Sequence, residues 1–161
     1  MVTVAAMAPD VDGLGLIPEL LTAHSAQPLH WYSLYHHALH SLLFALVVAL
    51  LAWILTRHSW RLAALSFLVF HLHLLEDVAG SRGPDGDAWP IPYLFPFSSR
   101  MTWSWSGQWP LNAWPNFALT VVLLGVTVWF AVRRRYSPVS LFSTRADAAV
   151  VAALQRRFHR A

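Results

Sequence analysis

Three long apolar stretches without charge constrain this chain more than any other feature. Ala38 to Thr56 runs nineteen residues without Asp, Glu, Lys or Arg, and Leu62 to Leu75 runs fourteen. Asn116 to Val132 runs seventeen and ends in Arg133-Arg134-Arg135. A helix rises about 1.5 Å per residue, so crossing a bilayer takes about 20 residues, with a usable range near 17–25. The first and third stretches meet that length outright. The second meets it when its helical pattern continues through His73, Glu76 and Asp77 to Gly80. The chain therefore reads as an all-α integral membrane protein, one membrane domain over residues 1–161, with spans at 38–56, 62–79 and 116–132.

Composition agrees. Apolar residues are 57% of the 161 and charged residues 12%, against about 25% charged in soluble domains, and mean hydropathy is +0.46. The absence of cysteine excludes a disulfide framework, a thiolate metal site and a cysteine nucleophile. Lysine is absent as well, so all eleven cations are arginines. They flank the apolar runs, as membrane flanks do, and no nucleic-acid partner is expected. Nine of the eleven fall in the 57–61 turn or after the third span. The positive-inside rule thus places that turn and the C-terminus in the cytoplasm, and the 78–115 loop outside the cell membrane.

Val2 to Ala8 is too short to span and lacks a basic start, and reads as an interfacial N-terminal segment. The outer loop carries Pro90, Pro92, Pro96, Pro110 and Pro115, with five of the nine tryptophans between 89 and 114. Such a loop reads either as an aromatic belt in the headgroups or as a wall over a site. Residues 144–160 place Ala, Val and Leu beside arginines, the pattern of an amphipathic surface helix drawn to anionic lipid. Membrane lipid is the expected partner, with self-association left open.

Ionisable groups at the rim of a span are costly and point to chemistry. His36, His37 and His40 stand at the outer entrance of the first span, where i, i+3 and i, i+4 spacings let two imidazoles share a face. His73 and Asp77 form another i, i+4 pair at the outer end of the second span, with Glu76 between them. Pro9-Asp10-Val11-Asp12-Gly13 adds two carboxylates in a turn on the same side. Imidazole and carboxylate without thiolate suit zinc, manganese or iron, and more than four such groups suit one or two ions. His71 is turned by about 160° from the His73 face at 100° per residue and reads as a packing histidine.

In this order the motifs resemble those of the inner-membrane metal-dependent hydrolases of the YdjM-like group. That group carries a PDIDH-type turn, a segment like HRGxTHSLL entering a span, an HxLxD motif ending one, a Gly-containing turn and a WP element. Here stand Pro9-Asp10-Val11-Asp12, then Tyr35-His36-His37-Ala38-Leu39-His40-Ser41-Leu42-Leu43, then His73-Leu74-Leu75-Glu76-Asp77, Gly83 and Trp89-Pro90. The resemblance implies that Asp10, Asp12, His40, His73 and Asp77 are metal ligands or their immediate supports. Tyr35 stands at the family's first histidine, so His36 or His37 is the replacement ligand. The implied activity is hydrolysis by metal-activated water, with Glu76 as proton-transfer group or support of a ligand. Arg82 and Arg100, the two outer cations, suit an anionic substrate such as a lipid phosphoester. Two other classes fit parts of the pattern: a di-iron membrane oxygenase or desaturase, and a non-catalytic metal- or haem-binding membrane subunit.

Overall fold

The computed structural model describes residues 1–32, 37–83 and 86–158. Every regular element in them is a helix: α1 (Val2–Met7), a 3₁₀ helix (Pro9–Gly15), α2 (Leu16–Thr22), α3 (Leu42–Leu55), α4 (Trp60–Gly80), α5 (Trp114–Arg134), a second 3₁₀ helix (Pro138–Leu141) and α6 (Thr144–Phe158). Extended pairing is limited among these residues to isolated bridges, Arg82 with Pro110 and Ile91 with Trp103. The chain divides into two compact units, residues 1–111 and 112–161.

Two helices, α4 and α5, have spanning length at 21 residues each, and α3 is a shorter apolar helix of 14. At about 1.5 Å per residue α3 covers about 21 Å, less than the ~30 Å hydrocarbon core. The first expected span therefore appears as a shorter apolar helix that begins at Leu42 rather than Ala38. The reason is local. Ser41 is extended, with φ −134°, and its Oγ accepts the Phe44 N–H, so the helix is capped there and starts at Leu42 rather than Ala38. His40 thus lies in the turn before the helix.

α3 and α4 pack as a hairpin. The turn between them closes with His58 N–H on the Trp53 carbonyl at 2.8 Å while Arg57 takes φ +56°, a Schellman-type ending that turns the chain at once. Ala45, Ala52 and Ser66 are fully buried, and such small side chains let helix backbones approach closely. Leu46, Leu50 and Ile54 on α3 and Leu65, Leu68, Leu72 and Leu75 on α4 are exposed. That large apolar surface suits lipid rather than water.

The core of the first unit is Ala45, Phe70, Leu74 and Ile91, with Ala8, Phe44, Tyr93 and Trp103 against it. The loop after α4 therefore folds back onto the hairpin. Ile91 and Trp103 exchange backbone hydrogen bonds at 2.8 and 2.9 Å, and Leu42 N–H donates to the Tyr93 carbonyl at 2.8 Å. His71 packs here as its helical angle requires. Its Nδ1 meets the Phe67 carbonyl at 2.8 Å, so that nitrogen carries the proton, and the Tyr93 hydroxyl donates to Nε2 at 2.9 Å. Tyr93 also stacks on Trp103, with centroids 4.1 Å apart. α1 lies mainly against α4, which carries the following Pro9–Gly15 turn to the same part of the unit as the end of α4.

In the second unit, buried Asp147 at the start of α6 accepts from the Ser137 N–H at 2.7 Å and the Ser137 hydroxyl at 2.6 Å. Gln155 Nε2 donates to the Val132 carbonyl at 3.2 Å, tying α6 to the end of α5. α6 places two of its three arginines, Arg156 and Arg157, in the last turn, where they complement the helix dipole.

Candidate metal centre

Three segments converge at the C-terminal end of α4. The Pro9–Gly15 turn brings Asp10 and Asp12, the turn before α3 brings His40, and α4 brings His73 and Asp77 one turn apart. Asp10, His40 and His73 each offer a ligand atom, and the three atoms lie within 4.8 Å of one another. Asp77 closes the group. Its Oδ2 is 3.4 Å from His40 Nε2 and 3.3 Å from His73 Nε2, and Asp10 Oδ1 is 3.4 Å from His73 Nε2.

These spacings carry chemical meaning. Hydrogen bonds of this type fall at about 2.7–3.2 Å, and these contacts are longer. Ligand atoms bound to one tetrahedral ion at about 2.0–2.1 Å stand about 3.3–3.4 Å apart along the edges. His73 Nε2 and Asp77 Oδ2 are buried and have no hydrogen-bond partner, although such atoms are nearly always paired in folded proteins. The donor set of two imidazoles and two carboxylates therefore fits a divalent ion in geometry and in chemistry.

Asp12 has a different place. Its carboxylate is 3.4 Å from the opposite ring nitrogen, His40 Nδ1, and accepts from Leu39 N–H at 3.3 Å. A carboxylate on the far nitrogen sets the tautomer and orientation of a ligating imidazole. The other oxygen of Asp77, Oδ1, accepts from the Ser81 hydroxyl at 3.1 Å. Burial disfavours the His40 imidazolium, and the carboxylates of Asp12 and Asp77 on either side overcome it, raising its pKa from 6.5 to about 9.

A cavity of about 560 Å³ reaches the group through Asp10 and Asp77, and Tyr32, Ser81, Arg82, Asp87 and Trp89 contribute to its wall. Arg82 is the cation of that wall among the described residues. Its Nη1 donates to the Gly86 carbonyl at 3.3 Å and its Nη2 to Ser106, while Nε is buried without a hydrogen-bond partner. The remaining residues singled out from sequence lie elsewhere. Glu76 and Arg100 are exposed and line no part of the cavity. His37 packs on Trp89 at 4.9 Å between ring centroids, and His36 lies outside the described residues. Trp89, edge-on to His40 at 5.1 Å, makes the outer loop part of the site's wall. Tyr32, Ser81 and Asp87 were not legible beforehand, because no spacing pattern links them to the ligands.

No curated protein and no solved structure matches this chain. The profile described as YdjM inner membrane protein matches residues 1–156. With nearly the whole length covered, and with helices of spanning length and a His/Asp group in place, the chain belongs to the YdjM inner membrane protein family.

Proposed function

We propose that this protein is a membrane-embedded hydrolase whose divalent ion, zinc in the first instance, is held by Asp10, His40, His73 and Asp77. The observation that carries the reading is the set of 3.3–3.4 Å contacts around Asp77 Oδ2 and His73 Nε2, the spacing expected along the edges of one tetrahedral coordination shell. An ion there supplies Lewis acidity and lowers the pKa of water from about 15.7 towards 7, so that neither serine nor cysteine is required.

The chain's own residues supply the rest. Asp12 and Ser81 orient His40 and Asp77, and Trp89 shields His40. Arg82, anchored to backbone carbonyls, keeps its position beside the cavity and presents a fixed positive charge to an anionic group, which favours a lipid phosphoester. Arg100, exposed on the same loop, would act only on a long headgroup. For proton transfer Asp87 lines the cavity, while Glu76, exposed and outside it, would exchange protons with the site only through water. The C-terminus is proposed to face the cytoplasm and the metal group the exoplasmic side, following the arginines.

A haem subunit needs two imidazoles on opposite sides of a flat macrocycle. Here both imidazoles face the same carboxylate oxygen of Asp77, an arrangement that favours a single ion. The test is metal content followed by turnover. Protein purified without chelator should carry about one ion per chain, and His40→Ala and Asp77→Ala should lose most of it. Metal-loaded protein should cleave members of a lipid phosphoester panel, with Asp87→Asn or Glu76→Gln lowering turnover by about 10²–10⁴-fold at unchanged metal content. Metal-free wild type would overturn the ion site. A metal-loaded but inert protein would leave a non-catalytic metal-binding subunit.

A further inference from the structure

We propose that Gln108 is a positioning residue for the metal centre, fixing at once the backbone beneath Asp77 and the tryptophan against His40. The inference rests on the metal reading above and concerns a residue far from every motif in the sequence. Gln108 is only 2% exposed, in a loop whose neighbours Trp105 and Leu111 are open to the surroundings. Both ends of its amide are used. Nε2 donates to the Asp77 carbonyl at 2.7 Å, and Oε1 accepts the Trp89 N–H at 2.7 Å. A backbone carbonyl can only accept and a backbone N–H can only donate, so the orientation of the amide is unambiguous.

The first bond lands where the ligand needs it. Asp77 sits in the last turn of α4, where carbonyls run out of helical partners. Its carbonyl also takes the Ser81 N–H at 3.2 Å, and its Oδ1 takes the Ser81 hydroxyl. Gln108 and Ser81 together hold main chain and carboxylate, which leaves Oδ2 aimed between the two imidazoles. The second bond holds Trp89 at the point where its ring meets His40. At the next residue, Trp109 N–H donates to the Ala79 carbonyl at 3.0 Å and the Trp109 carbonyl accepts from Arg82 N–H at 3.1 Å. The loop is thus laced to α4 at Asp77 and Ala79 and to Arg82 just beyond it, with Gln108 as its buried side-chain rivet.

The test is a cobalt(II) titration of the full-length protein in detergent at pH 8, read by d–d absorption for stoichiometry, affinity and coordination geometry. Circular dichroism of the metal-free protein is recorded alongside. Gln108→Met keeps the size and removes both hydrogen bonds. It should bind cobalt about 10–100-fold more weakly, with a shifted d–d band and retained helical signal. Gln108→Glu keeps the acceptor for Trp89 but loses the donor to Asp77, and should show the same weakening and shift; it decides the matter if Gln108→Met fails to fold. Wild-type affinity and spectrum in Gln108→Glu would overturn the proposal, leaving Gln108 a clamp on the loop alone. No cobalt uptake by wild type would overturn the metal reading itself, and this inference with it, before any variant is compared.

Discussion

At the scale of single residues the site separates two kinds of aspartate. Asp77 Oδ2 faces both ligand nitrogens, whereas Asp12 faces the far nitrogen of His40. Asp12→Asn should therefore retain one ion per chain at about 10–100-fold lower affinity, measured by competition with a chromophoric chelator. Unchanged affinity would remove Asp12 from the site. The proton on His40 gives a second expectation. Its pKa is raised to about 9 in the metal-free fold, and ligation requires the neutral imidazole, so metal uptake must displace a proton. Apparent affinity should rise with pH, by up to about tenfold per unit below 9, and level off above it. In the metal-free protein the sign is opposite: the stabilisation from His40 is complete below about 6.5 and is lost as pH rises through 9. Histidine and aspartate spacings made this His/Asp group legible in sequence. The division of labour between Asp10, Asp12 and Asp77 was not, because it depends on which ring nitrogen each carboxylate meets.

At the scale of elements, the outer loop is held by side chains within the hairpin. Tyr93→Phe removes the donor to His71 Nε2 and leaves a part-buried acceptor unpaired, which costs about 1–3 kcal/mol. Thermal unfolding of the metal-free protein in detergent should show the loss, and His71→Phe combined with Tyr93→Phe should cost less than the two singles added together. Simple additivity would mean that the bond does not hold the loop. Periodicity announced that His71 faces away from the ligands. It could not announce Tyr93 as the partner, since they are 22 residues apart on a loop without periodic pattern. Helix ends show the same division. α4 and α5 begin and end within about two residues of the apolar pattern, while α3 starts late because the Ser41 cap outweighs the hydropathy of residues 38–41.

At the scale of the molecule, the arginines set the expected orientation. A reporter fused after Ala161 should read as cytoplasmic and one inserted at Gly86 as exoplasmic, because nine of the eleven arginines fall in the 57–61 turn or after the third apolar run. The reverse result would move the metal group to the cytoplasmic face and with it the source of substrate.

The membrane class, the helices and most of the His/Asp group that the structure brings together follow from the sequence by itself. Hydropathy and i, i+4 spacing are local properties, and a helix expresses them at fixed pitch whatever surrounds it. The tertiary structure alone decided that Trp89 stands against His40, and that Arg82 and Asp87 share a cavity with Asp10 and Asp77. It also alone decided that Gln108 braces Asp77. These are contacts between segments tens of residues apart, and they exist only once the loop after α4 has folded back to bury Ile91 between the helices.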